Sequence, residues 1–322
     1  MERAAFPNAL AQQAPAASAS LPPTIAAAFA PVENLAAAEA YTRQLAHSHY
    51  ENFSVASILL PRRLRQDFCN VYAFCRIADD LGDEVGDTIK ASQFLADFKQ
   101  QTRDCYQGQS RTAVFVALRG TIDRHQIPID PFLDLIDAFE QDQRVKRYDN
   151  YEQVLDYCRR SADPVGRLVL YMAGYRDEQR QHLSDATCTA LQLANFWQDI
   201  RRDMLERDRI YLPNDSMSRF GVSADQIREG RCDDNFRKLI EFEVERTKKL
   251  FDCGDALLPL LEPAIRRQIR LFGNGGKAVL TAIRRQHYDT LSRRPRLSRW
   301  QKGRLILSAM GIYLAGKWTG VS

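Results

Sequence analysis

Apolar residues recur at helical spacing from about residue 33 onward in this 322-residue chain, and that periodicity restricts its fold more than any other feature. Leu193, Trp197, Ile200 and Met204 form one such series. Strand-like alternation is nearly absent, and glycine and proline divide the chain into about ten segments of ordinary helix length. Because 45% of the residues are apolar, the chain can bury a large core. The pattern therefore predicts an all-α fold, a single-domain helical bundle.

The first 32 residues are rich in Ala and Pro and are predicted to form a disordered tail, which leaves residues 33–322 for the helical domain. The tail has neither the basic start nor the continuous apolar run of a secretory signal. The longest candidate for a membrane span, residues 305–315, is interrupted by Ser308 and Gly311. We therefore expect a cytoplasmic protein that does not cross a membrane.

Composition excludes several classes of site. The formal charge is only +4, from 45 basic and 41 acidic residues, which is too small a bias to indicate a nucleic-acid partner. The seven cysteines are scattered singly, so neither a zinc site nor a disulfide framework is expected. The glycine-rich run 273–277 has neither dinucleotide-binding spacing nor the Ser or Thr of a phosphate-binding loop. We expect that run to open the helix that follows it.

Two distant segments carry acidic helix faces, and these are the most informative motifs in the chain. The first lies in residues 72–84 and the second in residues 191–203. At helical spacing, each set of polar side chains falls on a single face. The first face carries Arg76, Asp79, Asp80 and Asp83, and the second carries Gln192, Asn195, Asp199 and Asp203.

Carboxylates at positions i and i+4 lie about 6 Å apart along a helix axis and repel one another. A hard cation removes that repulsion, and Mg²⁺ prefers carboxylate and amide oxygens while accepting phosphate oxygens from a substrate. One DxxxD face alone is more simply explained as solvated and paired with a local arginine, Arg76, Arg201 or Arg202. Two such faces, both set among aromatic residues, instead predict a Mg²⁺ site that grips a diphosphate and promotes ionisation of its C–O bond.

The two motifs, together with Arg209-Ile-Tyr-Leu-Pro213, resemble those of the squalene/phytoene synthase family over roughly residues 46–302. That resemblance implies the isoprenoid synthase-type bundle, in which the motifs line opposite walls of a central cavity. The residues that it assigns to Mg²⁺ are Asp79, Asp83, Asn195, Asp199 and Asp203. Those that it assigns to catalysis are Asp79, Asp83, Asp199, Asp203 and Tyr72. Those that it assigns to binding of the isoprenoid diphosphate are His49, Asn52, Phe53, Tyr72, Arg76, Gln192, Gln198 and Tyr288.

Two departures from the family pattern narrow the expected reaction. Condensing members carry a Ser- and Lys-containing segment near the start and an arginine before the second aspartate motif, where this chain has residues 49–53 and Gln198. A condensing enzyme holds two diphosphates, so the loss of cationic partners favours a substrate with one diphosphate. The motifs at 50–53, 161–170 and 195–199 are similar to the bacterial hydroxysqualene synthase branch of hopanoid biosynthesis. In that branch presqualene diphosphate is ionised and water captures the carbocation.

Two other functions are open for such a chain. The first is a condensing prenyltransferase that makes presqualene diphosphate, squalene or phytoene, against which Gln198 and the missing Ser and Lys count. The second is a non-catalytic assembly factor of the same fold, which would be expected to have lost carboxylates from the two motifs. Here Asp79, Asp83, Asp199 and Asp203 are all present.

Two further segments bear on the expected site and its partners. Pro164 deprives Arg160 of its helical hydrogen-bond partner and predicts a kink at residues 163–166, whose freed carbonyl faces the carbocation, holds the attacking water or has only a packing role. A basic C-terminal run with Trp300 and the apolar stretch 305–314 is either a peripheral membrane contact or a solvated face beside a core helix. A membrane contact would suit exchange of lipids with a presqualene diphosphate synthase and a hydroxysqualene reductase.

Overall fold

The computed structural model describes residues 23–49 and 60–297, with side chains for residues 25–48 and 60–297. The described part of the chain is helical and contains no β-strand, since its only extended pairing is an isolated bridge between Pro31 and Thr112. The all-α prediction is confirmed. The helices are α1 (Pro23–Ala28), α2 (Leu35–His49), α3 (Arg65–Asp83), α4 (Thr88–Tyr106), α5 (Ala113–His125), α6 (Asp130–Asp142), α7 (Tyr151–Ser161), α8 (Asp163–Met172), α9 (Glu178–Arg207), α10 (Asn214–Phe220), α11 (Ala224–Glu229), α12 (Asp234–Gly254) and α13 (Pro263–Arg285), with short 3₁₀ helices at Arg62–Leu64 and Asp255–Leu260.

Two apolar clusters hold these helices together, and the two acidic motifs belong to different ones. The first cluster surrounds α3, where Phe74 contacts Phe98 and Phe132 with ring centroids 5.0 and 4.8 Å apart. The second surrounds the 30-residue helix α9, where the fully buried Trp197 donates a hydrogen bond from its indole N–H to Thr247 on α12. The bundle therefore carries one acidic face on each cluster.

Helix ends follow local sequence signals. Asp87, Asn150, Asp177 and Asp233 each precede a helix and accept hydrogen bonds from backbone N–H groups of its first turn. Such caps satisfy N–H groups that have no partner inside the helix. The predicted kink at residues 163–166 takes the form of a helix break: α7 ends at Ser161 and α8 begins at Asp163, with Pro164 in its first turn.

The structure corrects two of the sequence-based boundaries. The predicted tail extends too far, because residues 23–28 form α1 and Ile25 is fully buried in the first cluster. Phe29 adds an edge-to-face contact with Phe98, at 6.1 Å between ring centroids. A short apolar segment therefore folds back on the bundle, and residues 1–22 lie outside the described part of the chain.

The glycine-rich run 273–277 opens no helix; it lies inside α13. A Cβ atom built on Gly276 would come within 2.4 Å of the Phe251 ring and 2.7 Å of the Leu191 side chain. Glycine is thus required there for close packing of α13 on α12 and α9. None of the helices in the described ranges is long and apolar enough to span a membrane.

Candidate active site

The two acidic faces open onto one cavity of about 260 Å³ between the two apolar clusters. Helix α3 contributes two carboxylates to its wall, and α9 contributes carboxylates and amides from four successive turns. Aromatic residues from α6, α7, α9 and the segment after α9 complete the lining. The lining residues are Asp79, Asp83, Phe139, Asp142, Tyr157, Ser161, Gln192, Asn195, Phe196, Asp199, Asp203, Arg207, Arg209 and Tyr211.

Two arginines from the end of α9 connect the walls of the cavity. Arg207 Nη2 lies 2.8 Å from Asp83 Oδ2, and its Nη1 lies 3.8 Å from Asp203 Oδ1. Arg209, which is 7% exposed, approaches Asp83 Oδ1 at 3.4 Å. Asp83 of α3 therefore shares Arg207 with Asp203 of α9, a contact across the cavity that helical spacing on α3 does not predict.

A third arginine reaches the site from the segment after α13. The Arg294 guanidinium pairs with both carboxylate oxygens of Asp199, with Nη2 donating to Oδ2 at 2.9 Å. Gln198 lies beneath this segment: it donates to the Pro295 carbonyl at 2.5 Å and accepts from Arg294 at 3.4 Å. Gln198 is not among the lining residues. Although residue 198 is not an arginine, Arg294 places a guanidinium beside Asp199.

Burial and the crowding of acidic groups raise the pKa of carboxyl groups in the cavity. Burial raises the pKa of Asp203 to about 7, and the charge of Asp199 adds to the effect. Burial also raises the pKa of Asp142 to about 6, even though Arg209 stabilises its ionised form. A divalent cation placed among these oxygens would favour the charged carboxylates and reverse the shift.

The donor set suits Mg²⁺, although the described residues contain no ready-made cluster of three His, Cys, Asp or Glu ligands. Asp79, Asp83, Asn195, Asp199 and Asp203 all present oxygen atoms to the same cavity. Mg²⁺ commonly takes only one or two carboxylates and completes its shell with water and substrate phosphate oxygens. The residues therefore fit a Mg²⁺ site that is completed by substrate.

Aromatic side chains also line the cavity. The rings of Phe196 and Tyr211 are stacked, with centroids 3.7 Å apart and planes within 3°, and the Tyr157 ring lies 5.6 Å from that of Tyr211. The Tyr157 hydroxyl donates to Asp142 Oδ2 at 2.7 Å, which fixes its ring against the wall. Aromatic faces attract cations, so these rings can stabilise positive charge that develops on carbon.

Sequence reasoning did not single out several of these residues. Arg207 follows Asp203 by four positions and could have been found from helical spacing. Asp142 and Tyr157 have no local signal because they come from different helices, α6 and α7. Arg294 is 95 positions from Asp199 and carries no signal in the sequence around either residue.

Some predicted substrate contacts are not among the lining residues, although Arg76 Nη1 lies 3.6 Å from Oδ2 of the lining residue Asp79. Arg76 pairs with Asp80 and Glu84, and neither it nor Tyr72 is among the lining residues. Tyr288 is not among the lining residues either: its left-handed backbone (φ 59°) follows the end of α13, and its hydroxyl donates to Glu241 on α12 at 3.1 Å, so its role in substrate binding stays a prediction. Asn52, Phe53 and the His49 side chain lie outside the described residues.

A larger open groove of about 810 Å³ runs between α6 and α7. Most of its charged residues are paired locally, since Arg159 pairs with Glu152, Arg160 with Asp156, and Asp137 and Glu140 with Lys99 on α4. Such local pairing is typical of a solvated surface. The smaller cavity, where charges from four parts of the chain converge, is the better candidate for chemistry.

Comparison with known proteins gives consistent matches. A sequence model described as squalene/phytoene synthase matches residues 46–301. A hydroxysqualene synthase of Zymomonas mobilis is 37% identical over 205 residues, which is 62% of this chain and 67% of that protein. A phytoene synthase of Thermus thermophilus is 30% identical over 262 residues, which is 81% of this chain and 89% of that protein. The crystal structure of squalene synthase HpnC from Alicyclobacillus acidocaldarius aligns with a TM-score of 0.75 at 48% identity, covering 83% of this chain and 99% of that one.

Proposed function

This chain belongs to the squalene/phytoene synthase family of enzymes that act on prenyl diphosphates, and from this premise we propose that it is a hydroxysqualene synthase. Its reaction would be ionisation of presqualene diphosphate, followed by capture of the carbocation by water. The observation that carries the proposal is that both acidic motifs open onto one small cavity, which provides a single acidic pole for a single diphosphate. The similarity to a hydroxysqualene synthase and to HpnC supports it.

We expect the charged residues and the aromatic residues of the cavity to have different roles. When bound, Mg²⁺ would supply the positive charge that stabilises the departing diphosphate. The carboxylates of Asp79, Asp83, Asp199 and Asp203 and the amide of Asn195 would hold it. Arg207 and Arg294, which are paired with Asp83 and Asp199, would supply guanidinium donors to diphosphate oxygens at the same pole.

The aromatic residues would receive the hydrocarbon part of the substrate. The stacked rings of Tyr211 and Phe196 exclude bulk water and present their faces to the carbocation. Separation of the leaving group from the cationic carbon within one cavity limits their recombination. The hydride donor needed to reduce a carbocation directly to squalene is not required for water capture.

A condensing prenyltransferase is the second candidate, and two observations favour it. The Thermus phytoene synthase matches a longer part of the chain than the Zymomonas hydroxysqualene synthase does. Arg294 also supplies a guanidinium beside Asp199, which weakens the argument from the absence of arginine at residue 198. A non-catalytic assembly factor is disfavoured because Asp79, Asp83, Asp199 and Asp203 all line the cavity.

The expected lipid partners follow from the proposed reaction. A C30 diphosphate and a C30 alcohol both partition to membranes, so exchange with a presqualene diphosphate synthase and a hydroxysqualene reductase would take place near a membrane surface on the cytoplasmic side. The basic and apolar segment proposed for that contact, residues 299–314, lies outside the described residues. Its role as a peripheral anchor stays a prediction.

The test is incubation of the purified protein and Mg²⁺ with presqualene diphosphate, and separately with farnesyl or geranylgeranyl diphosphate, without a nicotinamide cofactor. Products are identified by mass spectrometry. Hydroxysqualene from the first substrate and no C–C bond formation from the others is the expected result. Presqualene diphosphate or phytoene formed from the shorter substrates would identify a condensing enzyme instead.

A further inference from the structure

Ser161 is the last residue of α7 and places a hydroxyl in the wall of the cavity. It lies four positions after Tyr157, so the two side chains share one face of the helix. Serine inside a helix often donates to the carbonyl four residues earlier. Among the described residues, however, the Ser161 Oγ atom is buried and has no hydrogen-bond partner.

A second polar atom in the same wall also lacks a partner within the described part of the chain. Asp142 is 5% exposed, and its Oδ2 accepts from the Tyr157 hydroxyl while its Oδ1 is buried and unpaired. Buried polar atoms are nearly always hydrogen-bonded, and an exception in a native fold points to a water, an ion or a ligand. Two such atoms beside one cavity point to a small polar molecule rather than to hydrocarbon.

The position of this pair matters for the reaction. Both residues belong to the side of the cavity formed by α6 and α7, with Tyr157 between them in the wall, whereas the metal-binding carboxylates lie on α3 and α9. Asp142 is also connected to the metal-binding wall, since Arg209 Nη1 lies 3.4 Å from both Asp142 Oδ2 and Asp83 Oδ1. A water held here would therefore lie beside the aromatic rings and near the diphosphate pole, which can take up its surplus proton.

We infer that Ser161 positions the water that captures the carbocation, with Asp142 as the second polar contact of that water; the inference rests on the proposed function. The C–O bond to diphosphate breaks first, and the diphosphate leaves with the electron pair. A lone pair of the water oxygen then forms the new C–O bond. The surplus proton of that water passes to the released diphosphate, so Ser161 is unchanged at the end of the cycle.

This role makes Ser161 a positioning residue that sets the fate of the carbocation and not the rate of its formation. Removal of the hydroxyl should leave ionisation nearly intact and change the products. Without a held water, the carbocation would lose a proton to give a C30 polyene or be captured at random. The partition between products is therefore the measurement that separates this role from a purely structural one.

The experiment compares Ser161→Ala, Ser161→Thr and the control Ser110→Ala on presqualene diphosphate, with both diphosphate release and products measured. Ser110 is a serine in the loop before α5, outside the cavity. For Ser161→Ala we expect release within about threefold of the wild type and a hydroxysqualene-to-polyene ratio lowered about tenfold. Ser161→Thr keeps the hydroxyl and should restore most of that ratio, and Ser110→Ala should not change it.

An unchanged product ratio in Ser161→Ala would overturn the inference while leaving the proposed function intact. Failure of the wild-type protein to release diphosphate from presqualene diphosphate would instead overturn the proposed function, and the inference with it. Should Ser161→Ala not fold, Ser161→Cys replaces the hydroxyl by a weakly hydrogen-bonding thiol of similar shape. A partial loss of hydroxysqualene in Ser161→Cys is then the supporting result, and an unchanged ratio the contrary one.

Discussion

The α3 and α9 walls of the cavity carry the same DxxxD spacing but obtain their compensating charges in different ways. On α3, Arg76 pairs with Asp80 and Glu84 of its own helix and the turn that follows, while Asp83 depends on Arg207 and Arg209 from the other wall. On α9, the guanidinium beside Asp199 comes from the segment after α13. Asp83 and Asp199 thus receive cations from outside their own helices, whereas Asp79 lies 3.6 Å from Arg76 and Asp203 lies 3.8 Å from Arg207 on the same helix.

The largest expected effect tests whether both walls are needed. We expect Asp79→Ala and Asp199→Ala each to lower turnover of the isoprenoid diphosphate by about 1,000-fold or more, because each removes an oxygen ligand from the metal site. Turnover is measured as diphosphate release at saturating Mg²⁺, with circular dichroism as the folding control. Asp97→Ala, which removes an exposed aspartate of α4, should behave as wild type. Near-normal turnover in either folded cavity variant would refute the two-wall site.

The second prediction concerns the stability of the metal-free protein. Since burial raises the pKa of Asp203 from 3.8 to about 7, the folded state binds a proton more tightly than the unfolded state. Both states are protonated below pH 4, and only the unfolded state ionises readily as pH rises from 4 to 7. The free energy of unfolding should therefore fall over that interval, by on the order of 3 kcal/mol from this group.

Chemical denaturation at pH 5 and pH 8 measures this change, and Asp203→Asn, which cannot ionise, should reduce it. Mg²⁺ binds ionised carboxylates, so it should raise the melting temperature at pH 8 and have little effect at pH 5. Equal stabilisation by Mg²⁺ at both pH values would show that the acidic pole is not where the metal binds.

The comparison of the walls also shows how far sequence reasoning extends. Helical spacing places Asp79 with Asp83, and Asn195 with Asp199 and Asp203, because side chains at i and i+4 necessarily share a face. Spacing says nothing about partners on other helices, which is why Asp142 was missed. The helix α1 was missed because six residues of alanine-rich sequence give too short an apolar pattern, although Ile25 is fully buried.

Local backbone conformation and helix packing explain two other features that the sequence did not predict. A motif match indicates that Tyr288 binds substrate, but it does not predict the positive φ after α13 or the hydrogen bond from its hydroxyl to Glu241 on α12. The run around Gly276 was expected to start a helix because glycine commonly ends or precedes one. Inside α13 the same residue permits contact with Phe251, a requirement that only the packed structure reveals.

A smaller effect is expected where the segment after α13 is tied to the α9 wall. Gln198 is 8% exposed and hydrogen-bonds Pro295 and Arg294. Gln198→Leu leaves a buried carbonyl without its donor, which should lower the free energy of unfolding by about 1–2 kcal/mol and speed trypsin cleavage after Arg293 and Arg296. Gln100→Leu, at an exposed position of α4, is the control. Cleavage at the wild-type rate would mean that Gln198 does not hold this segment.

The smallest expected effect addresses the exchange between arginine and metal on the α9 wall. If the Arg294 guanidinium must leave Asp199 before Mg²⁺ binds, Arg294→Ala should lower the Mg²⁺ concentration for half-maximal thermal stabilisation by about fivefold, or roughly 1 kcal/mol. The neighbouring Arg293 is exposed, so Arg293→Ala should leave that concentration unchanged. A weaker Mg²⁺ response in Arg294→Ala would instead mean that the guanidinium orients Asp199 for the metal. The arginines of the two walls would then differ both in their role and in the part of the chain from which they come.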